Sequence, residues 1–216
     1  MTKLLLSLFL LLIPFPANAV QGTLVLLVDL SASISKENVD LQMESYATAM
    51  EWITPLEYMN IESIVYGKKV YHISSGSRQN AARAFRINQS IDRSSTCLHQ
   101  ALVYVESIFD TLPQPVIIDI SGDGEENCDL SDYTHELLDR LESKGAIINT
   151  LMIPPNRETM LIYMNESTFN KKQTDLRLYY NSLIRGQGAF FMYIENFYDF
   201  EEAIIRKIVK EIALVD

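Results

Sequence analysis

Four segments of this chain are apolar almost from end to end, with helical periodicity between them: TLVLLV (23–28), VIIDI (116–120), AIINTLMI (146–153) and AFFMYI (189–194). A strand with one wet face alternates polar and apolar residues. A strand without that alternation is covered on both sides, which is the situation of a parallel sheet flanked by helices. The intervening stretches supply the helices. Residues 36–54 place Val39, Met43, Tyr46, Ala47, Met50 and Ile53 on one face, with Ser35 as the N-cap. Residues 79–88 read as helical, and 98–110 align Leu98, Ala101, Leu102, Val105, Ile108 and Phe109. A helix capped at Ser131 and running to about Ser143 buries Leu137, Leu138 and Leu141. The final helix, 198–213, puts Phe200, Ile204, Ile208 and Ile212 on one stripe. Glu201 and Glu202 near its start and Arg206, Lys207 and Lys210 further on suit the helix dipole. Residues 61–66 and 69–74 meet at Gly67 as a hairpin. The expected fold is α/β: a doubly wound, mostly parallel sheet with one antiparallel edge strand, helices on both faces and right-handed crossovers. The stretch 154–175 reads as an irregular surface excursion.

The first 19 residues stand apart. Lys3 gives a positive start, Leu4 to Ile13 is an apolar run, and Ala17-Asn18-Ala19 is a small-x-small cleavage pattern. This is the design of a secretory signal peptide, and the run is too short to span a bilayer. The expected organisation is a leader, 1–19, and a single domain, 20–216, with no membrane span in the mature form. The chain is then exported, to the periplasm or the medium. Its net charge is −10, which argues against nucleic acid and anionic membrane surfaces as partners. In an exported chain the two cysteines, Cys97 and Cys128, are candidates for one disulfide.

The chemistry lies where the strands end. In an open α/β sheet, ligands bind beyond the carboxyl ends of the strands, near the switch in strand order. Asp29, Ser31 and Ser33 leave the first strand at alternate positions; RSSTCL (93–98) precedes a helix, and SGDGEEN (121–127) follows a strand. Together they offer two carboxylates, Asp29 and Asp123, and three hydroxyls, Ser31, Ser33 and Thr96. An all-oxygen set of this kind suits a hard cation, Mg²⁺ before Zn²⁺, with Mn²⁺ or Ca²⁺ also admissible. The competing structural reading is that these side chains only cap loop amides and the next helix.

D-x-S-x-S after a first strand, a Thr opening a later helix and an Asp-Gly after the next strand resemble the von Willebrand factor A domain and its metal-ion-dependent adhesion site. VIIDISGDGEEN, KGAIINTLMI and YYNSLIRGQGAF, followed by a basic C-terminal helix, are similar more narrowly to an exported bacterial family of A-like domains of unassigned function. The resemblance implies that Ser31 and Ser33 bind the metal directly, that Thr96 is the third hydroxyl, and that Asp29 and Asp123 often act through water. It departs in the loop before Thr96, where Ser94-Ser95 replaces the frequent glycines and Ser95 competes as a ligand. A metal held without direct anionic ligands stays electrophilic, so an Asp or Glu of a protein partner completes its shell. Glu125, Glu126 and Asp129 crowd the same rim.

The function expected is an exported, non-enzymatic, metal-dependent protein-binding module. A metal-independent envelope scaffold, binding through helix surfaces or the 154–175 stretch, is the alternative. A third is a hydrolase relaying Ser31 or Ser33, His99 and Asp123, although no G-x-S-x-G elbow is present. Asp119, inside an apolar strand, either supports the metal site from behind or bonds loop amides or an Arg. Tyr179 and Tyr180 read as packing, and the sequons at Asn88 and Asn165 as chance in a bacterial chain.

Overall fold

The computed structural model describes residues 21–87, 90–128, 133–155 and 157–214. The expected leader and its cleavage pattern lie outside the described residues. The chain runs β1 (Gly22–Asp29), α1 (Lys36–Trp52), β2 (Met59–Tyr66), β3 (Val70–Gly76), α2 (Arg78–Arg86), α3 (Leu98–Ile108), β4 (Val116–Gly122), α4 (Thr134–Ser143), β5 (Ile147–Met152), α5 (Arg157–Tyr163), α6 (Glu166–Ser182), β6 (Phe191–Tyr193) and α7 (Phe200–Ile212). The strands form one sheet in the order β3-β2-β1-β4-β5-β6. All pairs are parallel except β2 with β3, the antiparallel edge. The expected fold class is therefore what the chain adopts.

The apolar strands β1, β4 and β5 are covered on both faces, as their composition requires, whereas β6, expected to be buried, is the parallel edge of the sheet and is only partly covered, with Tyr193 exposed. Leu24, Leu26 and Val28 of β1 and Ile117 of β4 pack under α1, α2 and α7, while Val25, Leu27, Ile118 and Ile120 pack under α3, α4 and α6. Ser35 caps α1, its Oγ accepting from Asn38 N at 3.2 Å, as expected. The Ser131 cap proposed for α4 lies outside the described residues. β6 is only three residues long, half the run expected from its apolarity. Just before it, Phe190 N donates to Asn149 Oδ1 at 2.9 Å instead of extending the ladder.

The stretch 154–175 is not irregular: it forms α5 and the first part of α6, a helix of 17 residues. In α6 only Phe169, Leu176 and Tyr180 are buried, so its apolar stripe is too sparse to stand out. Asn165 opens it, its Oδ1 accepting from Thr168 N at 2.9 Å.

Lys207 also departs from expectation. It does not sit at the wet end of a helix dipole but is fully buried, with Nζ 2.7 Å from Asp119 Oδ1 and 2.6 Å from Glu211 Oε1, both residues also at 0% exposure. Asp119 is thus paired with an α7 lysine and, among the described residues, neither with loop amides nor with an Arg. Glu211 Oε1 also accepts from Asn149 Nδ2 at 3.2 Å. Burial, then the Asp119 charge, pushes the Glu211 carboxyl well above the usual range.

Candidate metal-binding site

β1 feeds β2 on one side, and β4 returns on the other, so the sheet order reverses beside β1. The loops after β1 and β4 open at that switch point. Asp29 closes β1 and is fully buried; its Oδ1 accepts from Ser31 N at 2.7 Å. This carboxylate-to-amide bond folds the loop back so that Ser31 and Ser33 follow in step, their Oγ atoms 2.9 Å apart. Ser33 Oγ then donates to Asp123 Oδ1 at 2.5 Å, joining the β1 loop to the β4 loop.

Thr96 comes from the segment before α3 and is buried. Asn127 clamps it: Asn127 Oδ1 accepts from Thr96 N at 2.9 Å, and Asn127 N donates to Thr96 O at 3.1 Å. Thr96 Oγ1 and Ser33 Oγ flank Gly124, where a Cβ would lie 3.7 and 3.9 Å from them. The structure thus gathers Asp29, Ser31, Ser33, Thr96 and Asp123 at one edge of the sheet. Thr96 lines the same cleft as Ser33 and Asp123, whereas Ser95 lines a neighbouring one with Lys68, Lys69 and His99.

The donor set fits a hard divalent cation. All the convergent side-chain atoms are oxygens, although no group of three or more His, Cys, Asp or Glu that could hold a metal occurs among the described residues. Asp29 Oδ2 is buried with no hydrogen-bond partner among the described residues, an arrangement that costs free energy unless a cation or its water satisfies it. The titration behaviour agrees. Burial, then the charge of Asp123, pushes the Asp29 carboxyl up to about 8. Burial pushes Asp123 up to about 6, against the bond from Ser33 and the charge of Lys172. Two buried carboxyls that resist joint ionisation are the electrostatic complement of a dication.

Sequence reasoning missed four supporting residues. Arg93 staples the first loop, donating Nε to Leu30 O at 2.7 Å, Nη2 to Ser31 O at 2.9 Å, and Nη2 to Ile34 O. Gly122 leaves room behind Asp29: a Cβ there would sit 2.4 Å from Tyr180 Oη and 2.8 Å from Asp29 Oδ2. Tyr180 Oη donates to Gly124 O at 3.1 Å, so α6 fixes the second loop from beneath. Asn127 is the fourth. None is a ligand type in a recognisable spacing, so only the assembled loops reveal them.

A disulfide joins Cys97 and Cys128, Cα to Cα 5.4 Å, and ties the Thr96 segment to the Asp123 loop. Of the three rim acids, Glu126 is turned to local work: it accepts from His99 N at 2.8 Å and from Thr134 Oγ1. Glu125 lines the cleft, and Asp129 lies outside the described residues. The hydrolase relay is not assembled. Ser33 bonds Asp123 directly, and His99 bonds neither of them among the described residues; it lines the neighbouring cleft.

The site opens into a cleft of about 740 Å³. It is lined by Ala32, Ser33, Thr96 and Asp123 of the site loops and by Met160, Tyr163, Lys171 and Lys172 of α5 and α6.

A family model described as a protein of unknown function, DUF1194, matches residues 71–215. No curated protein matches the chain. Among solved structures, the chain is similar to proximal thread matrix protein 1 from the mussel byssus, in a form whose adhesion-site motif is occupied by zinc. That match has 12% identity and a TM-score of 0.62, covering 90% of this chain and 48% of the other. The chain therefore spans about half the length of the mussel protein. It is also similar to BatB of Bacteroides thetaiotaomicron, at 14% identity, TM-score 0.59 and coverage of 89% and 98%. A third is the von Willebrand factor domain of the type V pili tip protein Mfa5 from Porphyromonas gingivalis, at 10% identity, TM-score 0.58 and coverage of 90% and 97%. Likeness at this level establishes the fold, that of a von Willebrand factor A domain.

Proposed function

The chain belongs to the DUF1194 family, and we propose that it is an exported protein-binding module whose grip depends on a divalent cation, Mg²⁺ first, at Asp29, Ser31, Ser33, Thr96 and Asp123. The observation that carries this reading is the convergence of those side chains at the switch point, with the buried Asp29 Oδ2 left without a hydrogen-bond partner among the described residues. When bound, the cation supplies an electrophilic centre that a partner's Asp or Glu carboxylate completes. The hydroxyls of Ser31, Ser33 and Thr96 and the carboxylates of Asp29 and Asp123 would hold it. Arg93 and the Cys97–Cys128 bridge keep the three loops in register, so the chain binds and orients without doing covalent chemistry. The adhesion-site motif named for the mussel protein and the pilus-tip setting named for Mfa5 support the same reading. Residues 1–19 are the leader and 20–216 one domain, released to the periplasm or the medium. The disulfide supports an oxidising compartment. No helix among the described residues is long and apolar enough to cross a membrane.

Calorimetric titration with Mg²⁺, Mn²⁺ and Ca²⁺ tests this. Saturable binding that vanishes in Asp123→Ala supports it, and no heat in the wild type refutes it.

The scaffold reading has one observation in its favour: Trp52, 69% exposed, and Val209 line an apolar groove with Ile205 and Ile212, away from the site. Complex formation indifferent to a chelator would favour it.

A further inference from the structure

The binding reading leaves open which carboxylate-bearing partner the cleft accepts, and α6 supplies an answer. Lys171 and Lys172 are exposed and line the same cleft as Ser33, Thr96 and Asp123. Neither forms an ion pair within 4.0 Å among the described residues, although Asp175 lies one turn from Lys171 and Glu125 lines the same cleft. A Lys preceding an Asp by four residues is the weaker orientation of a helical charge pair, consistent with Lys171 and Asp175 remaining apart. Elsewhere Arg78, Arg86, Arg140, Lys144 and Arg157 each meet a carboxylate, while the exposed pair Lys68 and Lys69, beside the neighbouring cleft, forms no ion pair within 4.0 Å among the described residues. What sets Lys171 and Lys172 apart is their place in the cleft of the candidate site, where the charge of Lys172 also acts on Asp123, in a chain whose net charge is −10. Such a chain repels acidic partners at long range, so a local positive pair is what admits one.

The cleft is also larger than a single carboxylate needs. Its volume, about 740 Å³, falls in the range of pockets that enclose ligands of several residues or rings. The same cleft is lined by buried Leu176 and, on α5, by Met160 and Tyr163.

We infer that the cleft takes an extended acidic segment of a protein partner, one carboxylate at the end lined by Ser33 and Thr96 and a second on Lys171 and Lys172, with an apolar residue against Met160 and Tyr163. This rests on the metal-dependent binding reading and adds the partner's chemistry and the residues that select it. The lysines set specificity and the oxygen cluster sets the metal requirement, so the two are separable.

The test uses a short fluorescent peptide with two aspartates flanking a phenylalanine, and the same peptide with one aspartate changed to asparagine. Anisotropy is read in saturating Mg²⁺ with the wild-type chain, the pair Lys171→Glu and Lys172→Glu, and the pair Lys171→Arg and Lys172→Arg. The wild type binds the two-aspartate peptide about tenfold more tightly, a preference that falls with added salt. The glutamate pair loses the preference, the arginine pair keeps it, and both keep wild-type Mg²⁺ affinity by calorimetry. Equal affinity of the wild type for the two peptides, or an unchanged preference in the glutamate pair, overturns the assignment while the metal reading stands. A wild-type chain that takes up no Mg²⁺ brings down both.

Discussion

Replacing Lys207 by Met isolates the most unusual energetic feature of the fold. The wild-type ammonium lies 2.7 Å from Asp119 and 2.6 Å from Glu211, and all three side chains are at 0% exposure. Met keeps the length and apolar volume of the lysine stem and removes only the charge. Asp119 and Glu211 are then left together in an apolar layer between β4 and α7. Breaking a buried pair from one side costs about 3–5 kcal/mol, a large share of the roughly 5–15 kcal/mol that stabilises a domain. For a domain of this size the midpoint of thermal unfolding falls by roughly 6–20 °C. The pH dependence has a definite sign. Glu211 is raised above its unfolded value, so its contribution is fully present below the ordinary glutamate range and is lost as pH rises through the folded value. Glu211→Gln removes that titration. Its stability relative to wild type must therefore improve as pH rises from 6 to about 8.5. Urea unfolding followed by circular dichroism, at both pH values and with the metal chelated, reads both effects. The triple change Asp119→Leu, Lys207→Met, Glu211→Leu should recover most of the loss, because no charge is then stranded. A Lys207→Met chain within about 1 kcal/mol of wild type would refute the reasoning, and so would parallel pH profiles for wild type and Glu211→Gln.

Three further outcomes follow from the site. Gly122→Ala forces its methyl against Tyr180 Oη and Asp29 Oδ2; we expect about 1–3 kcal/mol of destabilisation and loss of Mg²⁺ affinity, read by urea unfolding and calorimetry. Arg93→Met strips carbonyl contacts from Leu30, Ser31 and Ile34. It should weaken Mg²⁺ binding about tenfold, in the manner of residues that orient metal ligands, and calorimetry checks it. Replacing Cys97 and Cys128 together by Ala opens a bridge between positions 31 residues apart. Loop-closure entropy puts the cost at about 3–4 kcal/mol, and the urea midpoint should shift accordingly, with weaker metal binding because Thr96 is no longer tied to the Asp123 loop.

Much of this architecture was written in short-range patterns. Strands apolar on both faces are expected to be central and parallel, and β1, β4 and β5 obey that rule, while β6 breaks it as a partly covered edge strand. The hairpin at Gly67 gave the antiparallel edge. The candidate ligands were legible because polar residues at the end of a buried strand are costly unless they are used. What the sequence concealed depends on partners distant in the chain. α6 buries only Phe169, Leu176 and Tyr180, and the worth of Tyr180 lies in its bond to Gly124, 56 positions away. Lys207 resembled a solvated helix-end lysine until Asp119 and Glu211 closed around it. Arg93 works through carbonyl oxygens, which leave no mark in a sequence. Gly122 matters because of two side chains, Asp29 and Tyr180, that only the fold brings behind it.

The central claim is that these loops hold a divalent cation. Crystals grown with Mn²⁺ and measured for anomalous scattering test it most directly. The account predicts one strong anomalous peak among the hydroxyls of Ser31, Ser33 and Thr96, with Asp29 and Asp123 close by, and its loss in Asp29→Ala. Crystals with no peak at the switch point, or with Mn²⁺ bound only elsewhere, would contradict it.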